Sequence, residues 1–138
     1  MSTPHYSTLF FYCNDVNAMR HFYTELIGME ETSYDAEHKW LTYQSGQLQI
    51  VYMQATAPRP VNEAWAKNPG YRGSGTDEAP SRVLTVEAAQ FDTIYEKLKA
   101  ANAPLLDSPQ EPQPGYRQFI TRDPMGTSVE IYTAPAAG

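Results

Sequence analysis

Residues 122–132 read RDPMGTSVEIY, a stretch in which one strand ends, the chain turns and a second strand begins. Pro124 fixes φ at a value that suits the turn, and Gly126 can adopt the positive φ that such turns require. Side chains alternate along the outgoing strand, so Glu130 lies on one face while Val129 and Ile131 lie on the other. We expect the apolar face to pack under a helix, which directs Glu130 to the opposite side of the sheet.

Two amphipathic helices, each preceded by an apolar strand, divide the chain into similar halves. The leading strands cover residues 6–12 and 81–86. Both helices have apolar residues at i, i+3, i+4 and i+7, namely Met19, Phe22, Tyr23 and Leu26 in the first and Phe91, Ile94, Tyr95 and Leu98 in the second. Short strands follow at 31–34, 39–43 and 47–53, and again at 105–106, 116–121 and 127–133. Residues 107–115 are expected to form an irregular, proline-rich loop.

This repeated order predicts an α+β fold of two tandem βαβββ modules, whose sheets curve around a shared cleft with the helices outside. Module one covers about residues 1–54 and module two about residues 81–134. The stretch between them, residues 55–80, is rich in Pro, Gly, Asn and Ala and is expected to be a connector, a flap or an arm to a partner subunit. Aligning the first strands places Thr8 on Ser81, and aligning the last strands places Gln49 on Glu130.

Composition excludes several classes of partner. The 138 residues suffice for one domain with a core, and the net charge of −6 argues against binding to nucleic acid or to an anionic membrane. The single cysteine, Cys13, excludes an internal disulfide. No signal peptide is visible at the start, and no apolar run approaches the ~20 residues that span a bilayer. We therefore expect a cytoplasmic protein.

The chain resembles the vicinal oxygen chelate superfamily, which includes glyoxalase I, extradiol dioxygenases, fosfomycin-resistance transferases and bleomycin-resistance proteins. The resemblance rests on the duplicated modules, on residues 15–23 (DVNAMRHFY) with 26–29 (LIGM), and on residues 123–126 (DPMG) followed by Glu130. It implies a homodimer. For the enzymatic members it also implies a metal site, with ligands from the first and last strands of each half.

At the four implied ligand positions this chain has Thr8, Gln49, Ser81 and Glu130. Only the Glu130 carboxylate is a strong ligand, because neutral hydroxyls bind divalent cations poorly and an amide offers only its carbonyl oxygen. A transition-metal site usually has His or carboxylate ligands at three positions or more. The sequence therefore predicts no metal ligands, no divalent metal and no other cofactor.

Strand alternation, registered on these four positions, predicts what lines the cleft. Trp40 and Arg117 are included although the sequence does not fix the register of their strands. The predicted ligand-binding residues are Thr8, Phe10, Tyr12, Trp40, Gln49, Val51, Ser81, Val83, Arg117, Glu130 and Tyr132. An aromatic lining with a few hydroxyls, one amide and one carboxylate suits a small organic molecule.

Two functions remain open from the sequence. The first is a binding protein that holds a small aromatic or cationic organic molecule in a metal-free cleft, akin to the drug-sequestering members of the superfamily. The second is a lyase, isomerase or dioxygenase-type enzyme in which Glu130 acts as general base or metal ligand. Glu130 also has a purely structural interpretation, in which Thr8, Ser81 and Gln49 supply hydrogen bonds to a buried carboxylate.

Overall fold

The computed structural model describes residues 3–68, 71 and 73–136, and Pro69, Gly70 and Arg72 of the predicted connector lie outside that part of the chain. The chain forms two compact units, residues 1–60 and 61–138. The predicted connector is therefore divided, since residues 55–60 belong to the first unit and residues 61–80 to the second. Neither unit, over its described residues, contains a helix with the length and apolar character that crossing a membrane would need.

The first unit is a βαβββ module. Its elements are β1 (Thr8–Cys13), α1 (Val16–Arg20) continued by a π-helical segment (His21–Ile27), β2 (Glu30–Asp35), β3 (Trp40–Ser45) and β4 (Leu48–Gln54). The strand order is β1-β4-β3-β2, with β1 parallel to β4 and the other neighbours antiparallel. Asp15 caps the helix by accepting the backbone N–H groups of Asn17 and Ala18 at 2.9 and 3.2 Å.

The helical turns of this unit depart from the predicted stripe. The N–H of Gly28 donates to the carbonyl of Tyr23, five residues earlier, at 3.1 Å, so the last turns are wider than in an α-helix. Ile27 is buried as a result, while Leu26 is only half-buried. The prediction that Leu26 completes the apolar stripe was wrong by one residue, because it assumed regular α-helical spacing.

Aromatic rings join this helix to its sheet. Tyr23 stacks on Tyr52 of β4 with ring centroids 5.2 Å apart and also lies 6.0 Å from the ring of Tyr43 on β3. Phe11 of β1 lies 5.8 Å from Tyr52, so it points to the same side. These contacts define the helix side of the first sheet.

The second unit repeats the module, which confirms the predicted α+β fold of two βαβββ modules. Its elements are β5 (Ser81–Thr85), α2 (Ala88–Ala100), β6 (Leu105–Gln113), β7 (Tyr116–Arg122) and β8 (Ser128–Thr133), in the order β5-β8-β7-β6. Phe119 of β7 contacts Phe91 and Tyr95 of α2 with ring centroids 5.1 and 5.2 Å apart, which defines the helix side of this sheet. The predicted 107–115 loop was wrong, because β6 runs to Gln113. Strand β6 is the edge of its sheet, where prolines such as Pro109 and Pro112 are tolerated.

The described residues of the stretch 61–80 pack on the second sheet. The Ala66 N–H donates to Oγ of Ser128 at 2.8 Å, and Nη1 of Arg122 donates to the carbonyl of Glu63 at 2.7 Å. Gly126 has φ of 79°, as its turn predicts, and a Cβ there would collide with the backbone carbonyl of Asn62. The turn after β7 therefore needs glycine both for its backbone conformation and for the close approach of this segment.

Candidate functional site

The first sheet carries aromatic side chains on the face opposite its helix. Phe10 and Tyr12 alternate with Leu9 and Phe11, and they are 61% and 55% exposed. This is the alternation that the sequence predicts for β1, with Leu9 and Phe11 on the helix side. Large aromatic side chains on one sheet face form an apolar surface that a ligand or a partner can cover.

The strand register adds Trp40 to this face. Tyr12 of β1 lies opposite Met53 of β4, and Met53 lies opposite Trp40 of β3, so the three side chains form one row across three strands. Trp40 is 41% exposed. We call Phe10, Tyr12, Met53 and Trp40 the aromatic platform. Val51, which the sequence also predicts on this face, lies opposite Phe10 and is itself buried.

The first pair of implied metal-ligand positions is adjacent but does not fit a metal. Thr8 and Gln49 are register partners at the start of β1 and β4, and the Thr8 hydroxyl donates to Oε1 of Gln49 at 3.4 Å. Neither side chain carries a charge. Across residues 3–68, 71 and 73–136, no group of three His, Cys, Asp or Glu side chains could hold a metal ion. The donor chemistry here therefore does not match a transition-metal centre.

In the second sheet the register differs from the predicted alignment. Glu130 pairs with Val83, whereas Ser81 pairs with Ser128. The residue equivalent to Thr8 is therefore Val83, and the alignment of Thr8 with Ser81 was wrong by two residues. Ser81, Val83, Glu130 and Tyr132 nevertheless share the face opposite α2, since even steps along a strand keep the face.

Glu130 is a buried carboxylate. It is 5% exposed, and its Oε1 has no hydrogen-bond partner in the described part of the chain. Burial raises the pKa of the Glu130 carboxyl above its ordinary value, and a nearby side chain, Asn68, opposes the rise to a smaller extent. Nδ2 of Asn68 also lacks a full hydrogen bond, so the contact between the two groups is a weak one.

Asn68 is the residue near Glu130 that sequence reasoning missed. The Ser81 hydroxyl donates to Oδ1 of Asn68, which leaves the Nδ2 end of the amide available to Glu130. The Ser81 hydroxyl, which the sequence predicts as a donor to Glu130, therefore donates to Asn68, and within the first unit the Thr8 hydroxyl donates to Gln49. Nothing local in the sequence marks an Asn in a connector as the neighbour of a carboxylate on the last strand.

Tyr71 lies in the same neighbourhood. Burial, together with the carboxylates of Asp107 and Glu130, raises the pKa of Tyr71 to about 12. Its hydroxyl donates to the carbonyl of Leu106, so the phenol anchors residues 61–80 to the start of β6. The phenol is therefore neutral at physiological pH and adds no second negative charge beside Glu130.

Arg117 lies on the other side of the second sheet. It pairs with Thr133, on the face that packs against α2. Its guanidinium reaches Asp92 at 3.0 Å and lies 4.3 Å from the centre of the Phe91 ring. The strand register, which the sequence left open, therefore places Arg117 on the helix side of the sheet, where it contacts α2.

The chain matches a known family over most of its length. Residues 4–131 match the family model described as the Glyoxalase/Bleomycin resistance protein/Dioxygenase superfamily. A comparison with curated proteins found no match.

Solved structures of similar fold carry several different activities in their names. A lactoylglutathione lyase from Agrobacterium tumefaciens is 20% identical, with a TM-score of 0.60 and coverage of 96% of both chains. A glyoxalase/dioxygenase from Nostoc punctiforme is 15% identical, with a TM-score of 0.72, and the match covers 95% of this chain and 91% of that one. The fosfomycin resistance protein FosX from Mesorhizobium loti is 14% identical, with a TM-score of 0.65 and coverage of 99% and 96%. At these identities the likeness shows the fold alone.

Proposed function

Because the chain belongs to the glyoxalase/bleomycin resistance protein/dioxygenase superfamily, we propose that it binds a small, planar aromatic molecule on the aromatic platform without the help of a metal ion. The observation that carries this proposal is the row of Tyr12, Met53 and Trp40, flanked by Phe10, on the sheet face opposite the helix. Flat rings stack on aromatic side chains with a gain beyond simple burial of area. A thioether in the same row adds a polarisable contact for such a ring.

Glu130 is poorly placed to anchor a cationic ligand. The cationic half of the sequence prediction depends on Glu130 as an anchor. That carboxylate is buried, and residues 61–80 pack on its side of the sheet. A raised pKa further reduces the negative charge that a cation would meet.

To test the proposal, the protein is dialysed against EDTA and titrated with naphthalene-2-methanol, a neutral planar probe, by calorimetry. We expect saturable binding of one equivalent per chain, unchanged when Zn²⁺ or Ni²⁺ is added back. Failure to bind, or binding only after a metal is restored, would remove the proposal.

A second candidate function is catalysis by Glu130 as a general base. It is supported by a buried carboxyl with a raised pKa and an Oε1 that lacks a partner in the described chain, since such perturbed groups concentrate at active sites. A general base must also reach its substrate. Residues 61–80 would have to move to admit one, because Ala66 is bonded to Ser128 on the same strand as Glu130.

The metal content of the purified protein is a direct prediction. With Thr8 and Gln49 at one pair of ligand positions and Val83 beside Glu130 at the other, we expect no stoichiometric divalent metal after dialysis. Elemental analysis measures this. About one equivalent of Zn, Ni, Fe or Mn per chain would contradict it.

We also propose that the protein is a symmetric homodimer that works in the cytoplasm. The family resemblance supports a dimer, and closed twofold pairing is the commonest way for a chain of this size to cover exposed apolar surface. Light scattering at micromolar concentration should give twice the chain mass of 15.5 kDa. A monomer mass over that range would refute the dimer.

A further inference from the structure

Arg59 is held beside the aromatic platform by an unusual set of restraints. It lies between Pro58 and Pro60, which restrict the backbone on both sides. The Asn14 side chain makes two hydrogen bonds to the backbone of Arg59: its Nδ2 donates to the Arg59 carbonyl at 2.8 Å, and its Oδ1 accepts the Arg59 N–H at 2.7 Å. The guanidinium carbon lies 5.8 Å from the centre of the Tyr12 ring. These restraints act on the Arg59 backbone and place its cationic side chain at the β1 edge of the platform.

The Arg59 guanidinium has no structural task that would explain these restraints. The residue is exposed, and its side chain makes no hydrogen bond or ion pair with any described part of the chain; its contact with Tyr12 is a loose cation–π contact. The other arginines with side-chain contacts are engaged, for example Arg20 with Glu31 at 2.7 Å and Arg117 with Asp92 at 3.0 Å. A guanidinium presents several N–H donors in a planar fork that matches a carboxylate.

The opposite end of the row carries a charge that is already satisfied. Asp35 of β2 lies opposite Trp40, so its side chain belongs to the same face. Its Oδ1 accepts the N–H groups of Glu37 and His38 at 3.1 and 3.0 Å, and its Oδ2 contacts the His38 ring at 2.8 Å. Both Asp35 oxygens accept hydrogen bonds from its own turn, whereas the Arg59 guanidinium beside the row has no hydrogen bond to any described residue.

We propose that the platform selects aromatic anions, with the ring stacked along Tyr12, Met53 and Trp40 and a carboxylate bound by Arg59. This inference rests on the proposed function and specifies its ligand class as planar aromatic carboxylates. The distance across the row sets the size of the ligand. Neighbouring strands are ~4.8 Å apart, so a ring system of two fused rings with one carboxylate spans from Trp40 to the Tyr12 edge.

Three matched probes test the inference: naphthalene-2-carboxylate, neutral naphthalene-2-methanol and cationic naphthalene-2-methylamine. We expect the carboxylate to bind about 2- to 5-fold more tightly than the alcohol at low salt, and the amine to bind no better than the alcohol. The preference should shrink at high salt, because an exposed ion pair is screened. Arg59→Gln should abolish the preference, measured as the ratio of the carboxylate affinity to the alcohol affinity in the same variant. Asn14→Ala should reduce it partly, because it frees the Arg59 backbone. The control Arg117→Gln removes an arginine on the helix side and should not alter it.

The outcomes separate this inference from the proposed function. If the alcohol binds and the carboxylate binds no better, or if Arg59→Gln keeps the preference, the anion site is overturned while the aromatic platform stands. If none of the three probes binds the wild-type protein, both proposals fail. A preference for the amine would overturn the anion site and would indicate a cationic ligand.

Discussion

Removing the Trp40 ring is expected to weaken binding of naphthalene-2-methanol by about 5- to 150-fold, because stacking on one aromatic side chain is worth about 1–3 kcal/mol. Tyr12→Ala should have an effect of similar size, since Tyr12 and Trp40 flank Met53 in one row. Both side chains are about half exposed, so truncation should cost little stability. Calorimetric titration of Trp40→Ala and Tyr12→Ala, with thermal melts alongside, measures both quantities.

The matched control is Tyr116→Ala, which removes an aromatic ring of comparable exposure (39%) from the second unit. It should leave the affinity unchanged. Equal losses in Tyr116→Ala and Trp40→Ala would show that the probe binds aromatic surface without selecting the platform. Full affinity in both Trp40→Ala and Tyr12→Ala would rule the platform out as the binding site.

Glu130→Gln is expected to stabilise the protein at neutral pH by on the order of 1 kcal/mol, because burial penalises an ionised carboxylate more than a neutral amide. Burial raises the pKa of Glu130, so the folded protein keeps the proton at pH values at which the unfolded chain has lost it. Stability of the wild type therefore falls as the pH rises from the ordinary carboxyl value of 4.5 through the raised one, and the penalty is complete above it. The neutral amide of the variant avoids this penalty.

Denaturant titrations of both proteins between pH 4 and pH 8 measure the effect. The gain in Glu130→Gln should be largest at high pH and vanish towards pH 4, while Glu96→Gln, an exposed control on α2, should show no such trend. A loss of stability in Glu130→Gln at neutral pH would mean that the ionised carboxylate is well satisfied. A gain in stability in Glu130→Gln would also support the general-base alternative, because a buried group that lowers the stability of the protein is readily explained by a catalytic role.

Local patterns in the sequence predicted the modules well. Alternation along β1 correctly separated Phe10 and Tyr12 from Leu9 and Phe11, because period-two side-chain direction is a property of any strand. Apolar spacing located both helices. Two local rules failed. Regular α-helical spacing did not predict the π-helical turns that bury Ile27, and the abundance of proline did not exclude the edge strand β6.

Relationships between distant segments were not predictable in the same way. The side of the sheet that Trp40 and Arg117 occupy depends on strand register, which a pattern within one strand cannot supply. The pairing of Val83 with Glu130 depends likewise on where two parallel strands begin. Asn68 reaches Glu130, and Asn14 grips Arg59, only through the path of a long connecting segment. Both contacts join residues that no sequence periodicity relates.

Amide chemical-shift mapping of the EDTA-treated protein, titrated with naphthalene-2-methanol, locates the binding site residue by residue. We expect saturable shifts that are largest at Phe10, Tyr12, Met53 and Trp40, and an unchanged pattern when Zn²⁺ is added. Shifts centred on Glu130 and Asn68, a requirement for added metal, or no saturable shifts at all would contradict it.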